Sequence, residues 1–311
     1  MTGAPVTSPA SSGTTRAGPA TRGAGSRRLR GARNYLALVP FHLYVGLFLI
    51  LPTLIVAIGA FTTAQGTFTF DNLGRLFTDD VIVSAFMKSI QLAVTTAIAG
   101  AIFGALLAWA VVRGDPNGQL RQVVIAASGV LAQFGGVMLA FAFLATFGFN
   151  GLVTIFFKSY LKVDVLSDAS WLYSLTGLAV VYTYFQIPLM LIVFLPSLDG
   201  LRQEWYDASA SLGGSGWAFW RHVGGPILAP SFLGALLLLF TNAFSAYATA
   251  AALVSQGSPI ITLQIASQFK SEVVLGQENV GKSIALGMIV IVSIVMAVYA
   301  LIQRRASRWV R

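Results

Sequence analysis

The chain has no cysteine and only two histidines, His42 and His222, so few residues are available to build a catalytic centre. Disulfides, thiolate metal sites and cysteine nucleophiles are excluded together, and the two histidines lie too far apart in sequence to read as a ligand pair. One segment does match a chemical motif. Residues 276–283 read GQENVGKS, with the Gly, four residues, Gly-Lys-Ser spacing of a phosphate-binding loop. That motif works where a strand feeds a loop whose amides face the phosphates at a helix N-terminus. Here the segment lies between two apolar stretches, and no second nucleotide motif accompanies it. We read the match as chance, with Gly281 to Ser283 marking the entry to the last apolar stretch. No catalytic residue, metal site or cofactor is expected in this chain.

The elements that surround these residues are set by composition. Of 311 residues, 56% are hydrophobic and 10% charged, against about 25% charged in an average soluble domain. Such a chain enters lipid rather than remaining solvated. Apolar stretches long enough to cross roughly 30 Å of hydrocarbon as helix run from Tyr35 to Phe61, Ser89 to Val112, Val123 to Phe147, Leu172 to Leu195, Ala229 to Ala251 and Ser283 to Leu301. The predicted fold is all-α and polytopic, with six transmembrane helices. With both termini inside, fourteen of the twenty basic and four of the eleven acidic residues fall on the inner side, giving +10 inside and −1 outside. Lys and Arg accumulate on the cytoplasmic side of membrane proteins, so both termini are expected in the cytoplasm. The net charge of +9 is then a topology signal and not a nucleic-acid footprint.

Residues 1–34 are rich in Thr, Gly, Ala, Ser, Pro and Arg, without an acidic residue, and are read as a disordered basic tail. The apolar run that follows is too long for the core of a cleaved signal peptide. Residues 35–311 form the membrane domain. On the outer side, Leu152, Ile155, Phe156, Tyr160 and Leu161 recur at helical spacing beside Lys158 and Lys162, which predicts a short surface helix.

One inner connection is too long for a simple turn. Between the fourth and fifth spans, about residues 197–228, Leu201, Trp205, Ala208 and Leu212 give an apolar face to a short helix. Gly213 and Gly214 break it. Ser215 can cap a second helix through Trp217 to His222, which Gly224, Gly225 and Pro226 would end.

At these residues the chain resembles the membrane subunits of ABC importers that work with a substrate-binding protein. Their EAA loop reads Glu-Ala-Ala, three residues, Gly, nine residues, Ile, one residue, Leu-Pro. In this chain Asp207-Ala208-Ser209 is followed by Gly213, Val223 and Gly225-Pro226, with 98 residues after Gly213. The spacing is kept; Asp stands for Glu, Ser for the second Ala, and Gly for Leu before Pro226. The resemblance implies a coupling helix that fits a groove on a cytoplasmic ATPase dimer. In that reading Asp207 is the charged contact, and Trp205, Leu212, Trp217, Phe219 and Trp220 pack against the partner or the bundle. It further implies a second permease subunit, sister or identical, and an extracytoplasmic binding protein, in the inner or plasma membrane of a prokaryote. ATP would be bound by the partner, so the chain itself is a transport subunit and not an enzyme.

Ionisable residues are absent from the spans apart from His42, read as a buried structural residue, so a proton- or sodium-driven carrier is disfavoured. Polar side chains that can line a path are Gln133, Tyr182, Gln186, Asn242 and Ser245, together with Tyr184 and Tyr247, though such groups also bond helix to helix. Pro188 is expected to kink the fourth span. The fifth span, with NAFSAYATAAAL, is similar in texture to permeases for polyamines and phosphonates. Alternative readings are a sugar or glycerol-phosphate importer permease, and an independent secondary carrier or channel.

Overall fold

In Gly100-Ala-Ile-Phe-Gly104 two glycines are four residues apart, flanked at helical spacing by Ala93, Ala97, Ala101 and Ala108. In lipid, where no hydrophobic gain drives helices together, such small-residue stripes let two backbones approach. The computed structural model describes residues 38–63, 65–161, 169–254, 260–270 and 277–306. In it the stripe lies on α3 (Asp80–Arg113) and faces α7 (Leu175–Asp199). A Cβ on Gly100 would sit 2.6 Å from Gln186 Cβ, and one on Gly104 2.6 Å from the Ile187 carbonyl. The four alanines are fully or almost fully buried.

Contacts divide the chain into two units, Met1–Leu54 and Ile55–Arg311. The first helix, α1 (Leu38–Ala60), begins in the former. There His42 is exposed, not buried as the sequence reading had it, and its Nδ1 donates to the Leu38 carbonyl at 2.8 Å. The tail at 1–34 lies outside the described residues.

Within the second unit α2 (Asp71–Thr78) precedes α3, whose first turn is capped by Asp79 accepting from Val81 N at 2.9 Å. Then come α4 (Gln119–Gln133), α5 (Gly136–Phe147), α6 (Leu152–Phe156) and α7. They are followed by α8 (Gln203–Ser211), α9 (Gly216–Ser245), α10 (Ala248–Leu253), α11 (Ile261–Lys270) and α12 (Gln277–Ala306). The fold is all-α. Among the described residues there is no strand, only an isolated bridge between Thr62 and Phe68. Six helical runs are long and apolar enough to cross a membrane: Leu38–Ala60, Asp80–Arg113, Gly136–Tyr160, Leu175–Asp199, Gly216–Ser245 and Glu278–Arg304. Of the most apolar stretch of α7 56% is buried, of that of α12 6%, so α7 is the central rod and α12 a peripheral one.

Two departures from the sequence reading matter. The stretch Val123–Phe147 is not one helix. It breaks after Gln133, where Gly136 takes φ +68°, a conformation that side chains rarely adopt. The first half packs along α7, where Arg121 meets Asp199 at its end, and the second reaches the turn before α7, where Phe147 stacks edge-on to Trp171, 6.4 Å between centroids. Two apolar halves read as one apolar stretch, so hydropathy alone does not reveal the break. The candidate run Gly136–Tyr160 joins α5 to α6 and a π-helical turn (Phe157–Leu161), the short outer helix expected near residue 152.

The second departure is that Gly224, Gly225 and Pro226 stop nothing. Helix α9 runs through them from Gly216 to Ser245. A π turn over Trp220–Gly224, with Gly225 N donating to Trp220 O, widens the ring just before Pro226. Pro226 falls in the first turn after that widening, where a missing N–H is tolerated. Pro188, likewise, lies inside the uninterrupted α7.

Because a Cβ at Gly104 meets backbone, Gly104→Val is expected to destabilise the protein by about 1–3 kcal/mol. Gly129→Ala, with nothing within 4 Å of the new methyl, should leave stability unchanged or slightly raised. Thermal unfolding of the purified protein in detergent distinguishes the two.

Candidate coupling hairpin and paired helix breaks

The loop between α7 and α9 folds as the expected helix, tight turn and helix. After Asp199 the chain turns through Gly200 and Leu201, and Arg202 stands before α8. The turn itself is set by Gly213 at φ +80°, with Gly213 N donating to Ala210 O and Gly214 N to Ser209 O, both at 2.9 Å. These bonds satisfy carbonyls left over at the end of α8. Ser215 caps the next helix, its Oγ accepting from Ala218 N at 3.3 Å. Phe219 is buried and stacks edge-on against Tyr206, 5.3 Å between centroids, which pins the two arms together.

The coupling residues proposed from the resemblance lie along this hairpin. Asp207 is exposed on α8, where its Oδ1 accepts from Gln203 Nε2 at 3.2 Å. Ala208, Gly213 and Pro226 are exposed, and Ser209, Val223 and Gly225 half-buried. An open apolar groove of about 490 Å³ runs between the arms, lined by Trp205, Ala208, Leu212, Ala218, His222 and Val223 among others. At the tip the aromatic and aliphatic side chains divide: Phe219 packs inward, whereas Leu212 is 90% and Trp217 74% exposed. Side chains of that size held in water-facing positions mark a contact surface.

The candidate path residues also divide. Tyr182 and Gln186, one turn apart on α7, are fully buried. Tyr182 donates its hydroxyl to Ala246 O at 2.7 Å, and Gln186 Nε2 donates to Thr96 Oγ1 at 2.8 Å. Gln186 Oε1 has no hydrogen-bond partner among the described residues. Gln133, Asn242 and Ser245 are exposed, the last with its hydroxyl donating to Thr241 O at 2.9 Å. Tyr184 and Tyr247 are partly open.

A second helix break gives this division meaning. Between α9 and α10, Ala246 and Tyr247 leave the helix, and Thr249 Oγ1 on α10 donates to Gly136 O at 3.1 Å. The breaks in the third and fifth crossings thus abut, with Tyr182 holding one loosened carbonyl. Gln133 stands at the edge of one break, Asn242 and Ser245 at the edge of the other. Sequence reasoning missed the pairing; the adjacent Gly135-Gly136 inside an apolar stretch was its one signal.

The phosphate-loop match dissolves in the structure. From Gln277 the segment is the first turns of α12, with Lys282 Nζ donating to Asn279 Oδ1 at 2.9 Å and Gly281 packed beside Gln268. Amides engaged in a helix cannot cradle a phosphate. Gly276 and Lys162 lie outside the described residues. No group of three His, Cys, Asp or Glu suited to a metal occurs among the described residues.

The fold is all-α, with six helical runs long and apolar enough to cross a membrane, and the hairpin lies between the fourth and fifth of them. No family model matches the chain. It is similar to the sulfate transport system permease protein CysT of Escherichia coli (strain K12), 25% identical over 208 residues, covering 66% of this chain and 69% of that protein. A CysW permease of Synechocystis is 23% identical over 274 residues, 85% of this chain and 91% of its own length. Other sulfate permease relatives are matched over as little as 56% of their length. The backbone is similar to that of a bacterial ABC transporter involved in import of the acidic polysaccharide alginate, with TM-score 0.71, 16% identity, and coverage of 91% of this chain and 98% of that one. A structure of a bacterial alginate ABC transporter in complex with an alginate pentasaccharide-bound periplasmic protein gives 0.69, at 16% identity over 91% of this chain and 97% of that one. The resemblance read from the loop therefore extends to sequence and fold. The relatives are named for sulfate, which sets aside the likeness to polyamine and phosphonate permeases read from the fifth span.

Tyr182→Phe would orphan the Ala246 carbonyl beside the paired breaks. A loss of about 0.6–2 kcal/mol is expected, read as a lowered thermal midpoint in detergent, while Tyr184→Phe should cost less.

Proposed function

We propose that the chain is the permease subunit of an ATP-driven ABC importer and forms half of a translocation path in the cell membrane. It is a transport component and not an enzyme; ATP is hydrolysed by a separate cytoplasmic ATPase dimer. A second permease subunit completes the core, since one chain offers one hairpin to a two-fold motor. An extracytoplasmic binding protein delivers the solute, and both termini face the cytoplasm. The observation that carries this reading is the hairpin itself: a glycine turn at φ +80°, exposed Leu212 and Trp217, and an arm that continues unbroken into the fifth span.

In mechanism, Asp207 and the Leu212–Trp217 tip engage the ATPase. Closure of the ATPase displaces the tip, and α9 carries the displacement as a rigid rod towards the break at Ala246–Tyr247. Solute-loaded binding protein and ATP favour one state of the core, and hydrolysis returns it to the other. The ends of the breaks, where Gln133, Asn242 and Ser245 are exposed, face the path, because unpaired backbone at membrane depth is tolerated only against protein or a water-filled cavity.

For the solute we propose a small oxyanion of the sulfate class. Residues 89–112, 122–147, 172–198, 223–253 and 283–303 contain no Asp, Glu, Lys or Arg. A polycation would find no counter-charge there, whereas amide and hydroxyl donors suit an oxyanion already stripped of its binding protein.

Tagged chain coexpressed with the ATPase should capture it, and Gly213→Asp should reduce capture at least tenfold, about 1.4 kcal/mol. Capture that ignores the substitution would favour an independent carrier or channel. Lys282→Ala should leave ATP hydrolysis by the assembled complex unchanged. Labelled sulfate should enter proteoliposomes only with ATP on the hairpin side, and uptake without ATP would sink the proposal.

A further inference from the structure

Arg121 and Asp199 are each placed against the preference of their own helix. Arg121 is a cation in the first turn of α4, and Asp199 an anion at the last residue of α7. The helix dipole disfavours both positions. The two belong together: Arg121 Nη2 donates to Asp199 Oδ2 at 2.6 Å across 78 residues of sequence. The Arg side chain is only 16% exposed and the Asp 39%, so the pair is partly desolvated, and Val124 and Ile125 of α4 pack against the apolar cluster to which Leu195 and Leu198 of α7 belong.

The position of the pair is what gives it a use. Asp199 is the root of the hairpin, four residues before α8 starts at Gln203. Arg121 is at the head of α4, and α4 ends at the break that Gly136 opens. The other arm of the hairpin runs without interruption into α9, which ends at the break at Ala246–Tyr247. The two breaks touch through Thr249 and Gly136.

We infer that the Arg121–Asp199 pair is a mechanical link through which displacement of the coupling hairpin reaches the third crossing, in parallel with the direct route through α9 to the fifth. The inference rests on the proposed coupling function. Two routes from one hairpin then meet at one pair of breaks, so the walls of the path move together. Arg121 and Asp199 are positioning residues in this scheme, with no contact to solute or nucleotide. A hydrogen-bonded pair between the head of one helix and the foot of another fixes their axial register, which apolar packing alone leaves free to slide.

The absence of cysteine provides the test. In the assembled complex, a single cysteine replaces Gln133 to report the third crossing or Ser245 to report the fifth. Maleimide labelling rates are compared with and without ATP and vanadate. Both sites are expected to change rate in the otherwise unaltered chain. Arg121→Gln or Asp199→Asn should shrink the change at position 133 by about two- to five-fold and leave that at 245 intact. The exchange Arg121→Asp with Asp199→Arg should restore it. A response at 133 that survives neutralisation, or that stays lost in the exchanged chain, overturns the link. No response at 245 in the unaltered chain would instead remove the coupling function, and the link with it.

Discussion

A backbone N–H or C=O inside hydrocarbon has no water to bond to, and this requirement governs the architecture. The crossings meet it mostly by remaining helical. Where they break, a neighbouring element bonds to the backbone beside the break: the Tyr182 hydroxyl donates to the free Ala246 O, and Thr249 donates to Gly136 O at the start of the next helix. The ends of other elements are held in the same way. Ser89 Oγ accepts from Ile261 N at 2.8 Å, and Ser283 Oγ donates to Ala60 O at 3.1 Å. Each of these hydroxyls joins segments far apart in sequence, so the irregular backbone and the tertiary fold stand or fall together. Two breaks side by side concentrate this dependence at one place.

Rigidity is distributed in the opposite sense. Around α7 the packing is close, with Gly100 and Gly104 admitting its backbone and Thr96 accepting from Gln186. A buried amide with one oxygen left unpaired is costly, and it is held at the tightest helix contact, where sliding of α3 on α7 would break its remaining bond. That arrangement suits a fixed spine. Helix α9 is stiff for a different reason: it has no gap between the hairpin and Ser245, because the π turn before Pro226 absorbs the proline. A stop at Gly224–Pro226 would have left a hinge between motor and span. In the proposed coupling, its absence lets force on the tip be delivered as displacement and not lost as bending.

Much of this was legible in residue order. Hydropathy located six crossings, and the Asp207-to-Pro226 spacing located the hairpin, because both are properties of single segments. Gly213 was readable as a turn since no other residue takes φ +80° so cheaply. The breaks were not, because Gln133-Phe134-Gly135-Gly136 and Ala246-Tyr247 sit in stretches whose mean apolarity is the same broken or whole. Tyr182 and Gln186 have the composition of path-lining residues, yet both are buried, and only the positions of Ala246 and Thr96 in space reveal that they serve as ties. The division of Phe219 from Trp217 was equally hidden: both are aromatic residues of one short helix, and which faces inward depends on where Tyr206 comes to rest.

The distribution of charge bears on where the driving force enters. A carrier that couples to an ion gradient titrates or ligates within its spans, and its ionisable residues there sit at considerable cost. Here residues 89–112, 122–147, 172–198, 223–253 and 283–303 carry no Asp, Glu, Lys or Arg, His42 lies near the start of α1 bonded to its own helix, and the charged residues of the fourth connection other than Arg221 gather on α8 and at its root. In the proposed coupling the driving force therefore enters outside the bilayer part of the molecule. What the spans provide is a continuous helix, a tied spine and two adjacent breaks, through which, in the proposed coupling, a push at one membrane face becomes rearrangement at depth. In that scheme work arrives at the hairpin already in mechanical form, and Gly213, whose φ of +80° closes the turn without a side chain at its tip, is placed where it would be received.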